Sequence, residues 1–162
     1  MAETKSGHHV PTYSLKKVEA EGRVELEHFT NEDALDLGTI TTEVIREWGV
    51  SLAVDIVIGS YLVYRARLGS TGPGNDSWLA GKAAVTRHFG DSSLLVKLRQ
   101  KATGVPFEEL DLDHDVMKAH GGSIPIYVGG KLVATITTSG EPDVVDHEVA
   151  TEAVRRYRAS LG

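Results

Sequence analysis

The sequence predicts an α+β fold in which one meandering antiparallel β-sheet of about five strands is flanked by α-helices. Three observations predict it. Two pairs of short alternating segments each close on a two-residue turn, Gly59-Ser60 and Gly129-Gly130. Apolar residues recur at helical spacing before, between and after those pairs. The resulting order of helix, hairpin, helices, hairpin, helix lacks the strict strand–helix alternation of a wound parallel sheet.

Residues 1–18 mix Lys, Ser, Gly, His and a Pro without a period, and they read as a mobile N-terminal arm or an intersubunit strap that includes His8 and His9. Residues 19–162 then form a single domain. Arg23 to His28, where Val24 and Leu26 alternate with Glu25 and Glu27, offers a fifth strand. Thr30 followed by Asn31, Glu32 and Asp33 has the form of an N-cap with an acidic first turn. Leu37, Ile40, Val44, Ile45 and Trp48 follow at helical spacing, so a helix is expected over about 31–48, ended by Gly49. The period then switches to two. Leu52, Val54, Ile56 and Ile58 form one strand, and Tyr61 to Leu68, with Arg65 and Arg67 interleaved, forms its hairpin partner.

Beyond the glycine-rich loop 69–74, Asn75 to Phe89 and Ser92 to Thr103 read as helices, whereas the acidic stretch from Pro106 to Lys118 carries no clear element. Ile124 to Val128 and Leu132 to Thr138 flank Gly129-Gly130, a dipeptide suited to the left-handed angles of a hairpin turn. Pro142 stands where a first helical residue belongs, and Val145, Val149, Ala150, Ala153, Val154 and Tyr157 mark the inner face of a last helix. A profilin-like α+β architecture satisfies this order.

Composition narrows the function classes. Seventeen Lys and Arg against 23 Asp and Glu give a formal charge of -6 with no basic stripe, which argues against nucleic-acid binding. With no Cys there is no disulfide framework, thiolate nucleophile or Cys-ligated metal, and a reducing compartment is expected. The polar residues 1–17 hold no apolar leader, and no run reaches the ~18 apolar residues of a spanning helix. A cytoplasmic protein with no membrane association is expected.

Several motifs fail on chemistry. The glycines of 69–74 have the spacing that begins a phosphate loop, but Asn75 and Asp76 stand where Lys and Ser or Thr are required. Asp111, Asp113 and Asp115 alternate like the start of a calcium loop. Val116 replaces the required Gly and Gly122 the required Glu, so a solvated acidic turn is expected, with His114 and His120 nearby. No nucleophile elbow, no His-Glu-x-x-His and no distinguishable carboxylate pair appears, so no catalytic residues are assigned.

The segment Gly69 to Leu79 with Lys82, Arg87-His88-Phe89 and Ser92-Ser93 resembles the haem-degrading-domain family of GlcG-like and HbpS-like proteins. Gly121-Gly122-Ser123-Ile124-Pro125-Ile126, Ser139-Gly140 and Asp146-His147 agree with it, and the likeness spans about 20–160. It is closest to a cytoplasmic branch in which the Asn-Asp-x-Trp loop and the Asp-His pair recur. The resemblance implies a GlcG-like sheet with flanking helices, a homo-oligomer built as a ring of dimers, and haem or porphyrin binding in some members.

The candidate ligand-binding residues each carry two readings. Asn75 and Asp76 either cap a helix or, with Trp78, Lys82 and Arg87, line a pocket for a carboxylated planar ligand. Trp78 serves equally as a core or interface anchor. Gly121 and Gly122 let the backbone bend, or let a flat ligand or another subunit lie against it. His147, four residues after Asp143, is either hydrogen-bonded at a helix start or an iron ligand. His88 and His120 are the other candidate haem-iron ligands. Two functions follow: a tetrapyrrole-binding protein that assists haem degradation, or a non-catalytic assembly or adaptor protein with no small-molecule cofactor.

Overall fold

The computed structural model describes Thr4 and residues 7–162. Its elements are α1 (Leu15–Glu21), β1 (Val24–Leu26), α2 (Asn31–Trp48), β2 (Ala53–Ile58), β3 (Tyr61–Arg67), α3 (Asp76–Phe89), α4 (Ser93–Thr103), β4 (Ser123–Val128), β5 (Lys131–Ser139) and α5 (Asp143–Ser160). The five strands form one sheet in the order β1-β4-β5-β2-β3.

Local chemistry explains the boundaries. The Thr30 side chain accepts from Asp33 N while Asp33 accepts from Thr30 N, a capping box that starts α2, and Gly49 in the left-handed region ends it. Hairpins β2–β3 and β4–β5 close on the expected two-residue turns. Pro142 lies just outside α5, because the helix begins at Asp143.

Two expectations need correction. The sheet is not wholly antiparallel, since β1 pairs parallel to β4, Val24 opposite Ile126. The reason is topological: α2 carries the chain from β1 back to the end where β2 begins, so β1 and β2 run the same way, and β4 shares that direction two strands over. The boundary expected after residue 18 also falls inside a packed helix, α1. Ser14 caps α1, and Val18 is buried against Leu94 and Leu95 of α4. Ahead of it His8 stacks on Trp48 at 4.9 Å and meets Glu148 at 3.0 Å. Residues 1–3, 5 and 6 of the expected arm lie outside the described residues.

The period of two divides the sheet into unlike faces. Val54, Ile56, Ile124, Ile126 and Ile136 turn towards α2 and α5, where Leu37, Val44, Ile45, Val149 and Tyr157 complete the main core. Asp55, Ser123, Thr135 and Thr137 point the other way and are also buried. There α3 and α4 answer with polar groups: Ser93 Oγ of α4 accepts from Ser123 N, and Thr86 Oγ1 of α3 donates to Ser123 O, while within the sheet Thr137 Oγ1 donates to Ser123 Oγ. The buried hydroxyls of Ser93, Ser123 and Thr137 are tolerable because they are hydrogen-bonded, whereas Thr135 Oγ1 has no partner among the described residues.

Candidate functional site

The start of α5 is where the carboxy-terminal motifs converge. Asp146 and Lys82 are buried there, 1 % and 2 % exposed, although 64 residues separate them in sequence. Lys82 Nζ donates to Asp146 Oδ2 at 2.7 Å and to Thr138 O at 2.9 Å. Asp146 Oδ1 accepts from Glu141 N, and Asp146 O accepts from Thr138 Oγ1. Burial raises the Asp146 carboxyl well above the usual carboxylate range, with the Lys82 ammonium opposing. Gly122 makes room for the pair. Its φ is +137°, and a Cβ there would overlap Thr138 O and come within 2.9 Å of Lys82 Nζ.

The next residue faces a different neighbourhood. His147 is fully buried, its Nε2 lies 2.8 Å from Glu21 Oε1, and the Tyr13 ring stands edge-on at 5.1 Å. Burial, then Glu21 and Glu148, push the Tyr13 phenol up to about 12, so it stays neutral. A neutral imidazole that donates Nε2–H to Glu21 leaves the Nδ1 lone pair without a partner among the described residues. His147 stands at a groove of about 830 Å³ between α1, β1, the start of α4 and α5. Val18, Val24, Leu95, Ile124 and Val154 give it an apolar lining, and Arg23, Arg99, Arg155 and Arg158 add cations. Its carboxylates are already engaged: Glu21 with His147, Glu148 with His8, Glu152 with Arg155, and Asp91 with Arg99. Arg23 instead lies 3.9 Å over the Tyr127 ring, and Arg158 has no carboxylate partner among the described residues.

A second hollow, about 350 Å³, opens between α3, α4 and residues 105–120. Trp78 and His120 meet there edge to face at 5.5 Å, and Lys118 Nζ sits 4.7 Å over the indole. Burial, reinforced by Lys97, lowers the His120 pKa and favours the neutral ring. Asp143 stands behind it, accepting from Lys97 Nζ at 2.8 Å and from Gly121 N at 2.9 Å. Burial alone would raise Asp143, but those two donors outweigh it and hold the carboxyl below its ordinary value.

The candidates therefore do not form one pocket. Asn75 Oδ1 accepts from Gly72 N and makes no side-chain bond to α3, while Asp76 reaches back to Arg67 at 2.8 Å. Lys82 is enclosed in its ion pair, and Arg87 and His88 are exposed near the end of α3, His88 against Phe89 at 4.8 Å. Gly121, Gly122 and Lys82 do come together, with Trp78 and His120 close by on α3 and the preceding loop. The sequence reading missed the Lys82–Asp146 pairing and the Glu21–His147 pairing. Only the first had a signal, a lysine three residues after Leu79 on the buried side of α3. Among the described residues no group of three or more His, Asp or Glu gathers to hold a metal ion, and no helix is long and apolar enough to cross a membrane.

The family described as haem degrading protein HbpS-like matches residues 29–155, which hold β2 to β5, α3, Gly121-Gly122 and His147. The chain belongs to that family. A UPF0303 protein of Streptomyces coelicolor is 40% identical over 141 residues, covering 86% of this chain and 89% of its own length. Among solved structures, Ybr137w superposes with a TM-score of 0.78 at 28% identity, covering 90% of this chain and 88% of that one. PduOC, solved as a haem complex, superposes at 0.62 with 18% identity, covering 78% and 92%, a likeness of fold.

Proposed function

We propose that this is a cytoplasmic, self-associating protein that binds haem or a related tetrapyrrole in the groove beside α1, with His147 as the iron ligand. The observation that carries the reading is the pairing of His147. A ligating histidine characteristically donates its second ring N–H to a carboxylate, which fixes the tautomer and leaves the other nitrogen for the metal. Glu21 does this at 2.8 Å, and Nδ1 is the buried atom left over. The groove's volume and apolar lining suit a porphyrin body, and the guanidinium groups of Arg23 and Arg158 suit its propionates. His120 and His88 fit less well, one beside a smaller hollow and the other exposed. The haem-bound PduOC neighbour supports the same reading.

When bound, haem supplies the oxygen chemistry at its iron. The chain's own part is to hold the ring, to orient His147 through Glu21 and to keep water from the apolar lining. Self-association finds support at the sheet edge formed by β3, where Tyr61 is 77 % exposed and Leu62 48 %.

A haem titration followed near the Soret band tests the proposal. Saturable, stoichiometric binding is expected for the parent, lost in His147→Ala and kept in His88→Ala and His120→Ala. Bleaching of the loaded protein by ascorbate and oxygen would add degradation to binding. Weak, unsaturable binding that ignores His147→Ala would sink the tetrapyrrole site and leave the assembly protein, to be pursued through its mass in solution.

A further inference from the structure

We propose that the hollow between α3, α4 and residues 105–120 is a separate site for a small aromatic carboxylate, held by the Trp78 indole and by the ammonium groups of Lys101 and Lys118. Three observations carry it, and none depends on haem.

The first is the balance of charge. Lys97, Lys101 and Lys118 line the hollow against one carboxylate, Glu108. Lys97 is neutralised by Asp143, but Lys101 and Lys118 have no carboxylate within ion-pair distance among the described residues. The excess is positive, and the neutral His120 does not change that.

The second is aromatic surface held open to solvent. Trp78 is 41 % exposed, on a helix whose next residue, Leu79, is buried. Phe107, edge-on to His114 at 5.4 Å, adds a further ring to the lining. Indole and phenyl faces prefer a flat partner to an aliphatic one.

The third is Gly81. A glycine inside a helix costs about 1 kcal/mol relative to alanine, so its place in the middle of α3 wants a reason. Lys118 provides one. A Cβ on Gly81 would come within 2.6 Å of Lys118 Cγ, and Lys118 N donates to Gly81 O at 3.1 Å. The missing side chain lets the lysine stem lie across the helix and sets its ammonium over Trp78. At about 350 Å³ the hollow admits one ring with its carboxylates.

The experiment uses phthalate as probe and the intrinsic fluorescence of Trp78 as readout. The chain has 2 Trp, so a Trp48→Phe background leaves one indole. Phthalate is expected to quench it saturably, and the apparent affinity should fall about tenfold or more for Lys101→Gln with Lys118→Gln. Gly81→Ala, a better helix former, should weaken binding in the same direction while the protein stays folded by circular dichroism. Equal quenching by succinate would overturn the aromatic assignment. No saturable quenching, or quenching indifferent to both lysines, would overturn the site. An emission maximum that moves to the red only on dilution would show Trp78 covered by a second copy and would overturn it too. His147→Ala leaves this titration unchanged, so its failure and the failure of the haem reading are separable.

Discussion

Asp146 and His147 are consecutive residues of α5, both almost wholly buried, yet they are built to different standards. Each carboxylate oxygen of Asp146 has a donor, and the ammonium facing it also holds a backbone carbonyl. His147 has one ring nitrogen satisfied and one left over. A saturated buried pair has nothing to offer a ligand, and breaking it leaves an uncompensated charge. An unsatisfied buried nitrogen costs stability in the free protein, and a ligand can recover it. The difference separates a residue whose polar atoms are all satisfied from one with a nitrogen unpartnered among the described residues, although both belong to one sequence motif.

The sharpest way to break that contrast is Lys82→Met. It strands Asp146 in the core, and a loss of about 3–5 kcal/mol in urea unfolding is expected. A loss under about 1 kcal/mol would mean that water reaches the carboxylate. His147→Leu should behave in the opposite manner. It removes the orphan nitrogen together with the bond to Glu21, whose carboxylate remains partly exposed, so stability is expected to stay within about 1 kcal/mol of the parent. A drop of several kcal/mol would give His147 the same structural standing as Asp146.

Lys97→Met is the mildest test and is read through pH. Asp143 has a lowered folded pKa, so it adds stability that is present above its unfolded pKa and is lost as pH falls through the folded one. Without Lys97 that folded pKa rises. The variant should lose about 0.2–1 kcal/mol at neutral pH, consistent with a partly exposed pair, and the deficit should vanish at acid pH below both values. A deficit that persists there would assign the loss to packing of the lysine stem instead.

Much of the framework was legible because it is written locally. Thr30 to Asp33 carry their own capping box, and the alternation at Leu52 to Ile58 and the Gly-Gly turn specify strands without reference to distant residues. The parallel pairing of β1 was not legible, because three residues carry no direction and the crossover through α2 decides it. The site was legible in part. Gly121-Gly122 and Asp146-His147 stand out as motifs, but Lys82 finds Asp146, and Trp78 finds His120, only once α3 has packed against the sheet. Glu21 was beyond reach because α1 lies mostly within a segment without a period, and its helix depends on the seat that α4 provides.

The parallel contact of β1 also bears on the order of folding. Val24 and Ile126 become neighbours only after about a hundred residues between them have been gathered in, whereas both hairpins close across two. Loop-closure entropy therefore places the docking of α1 and β1 among the last events of folding and the first of local unfolding. That corner is the wall of the groove and carries Glu21, so amides of residues 15–26 should exchange early with deuterium and slow down when the groove is filled.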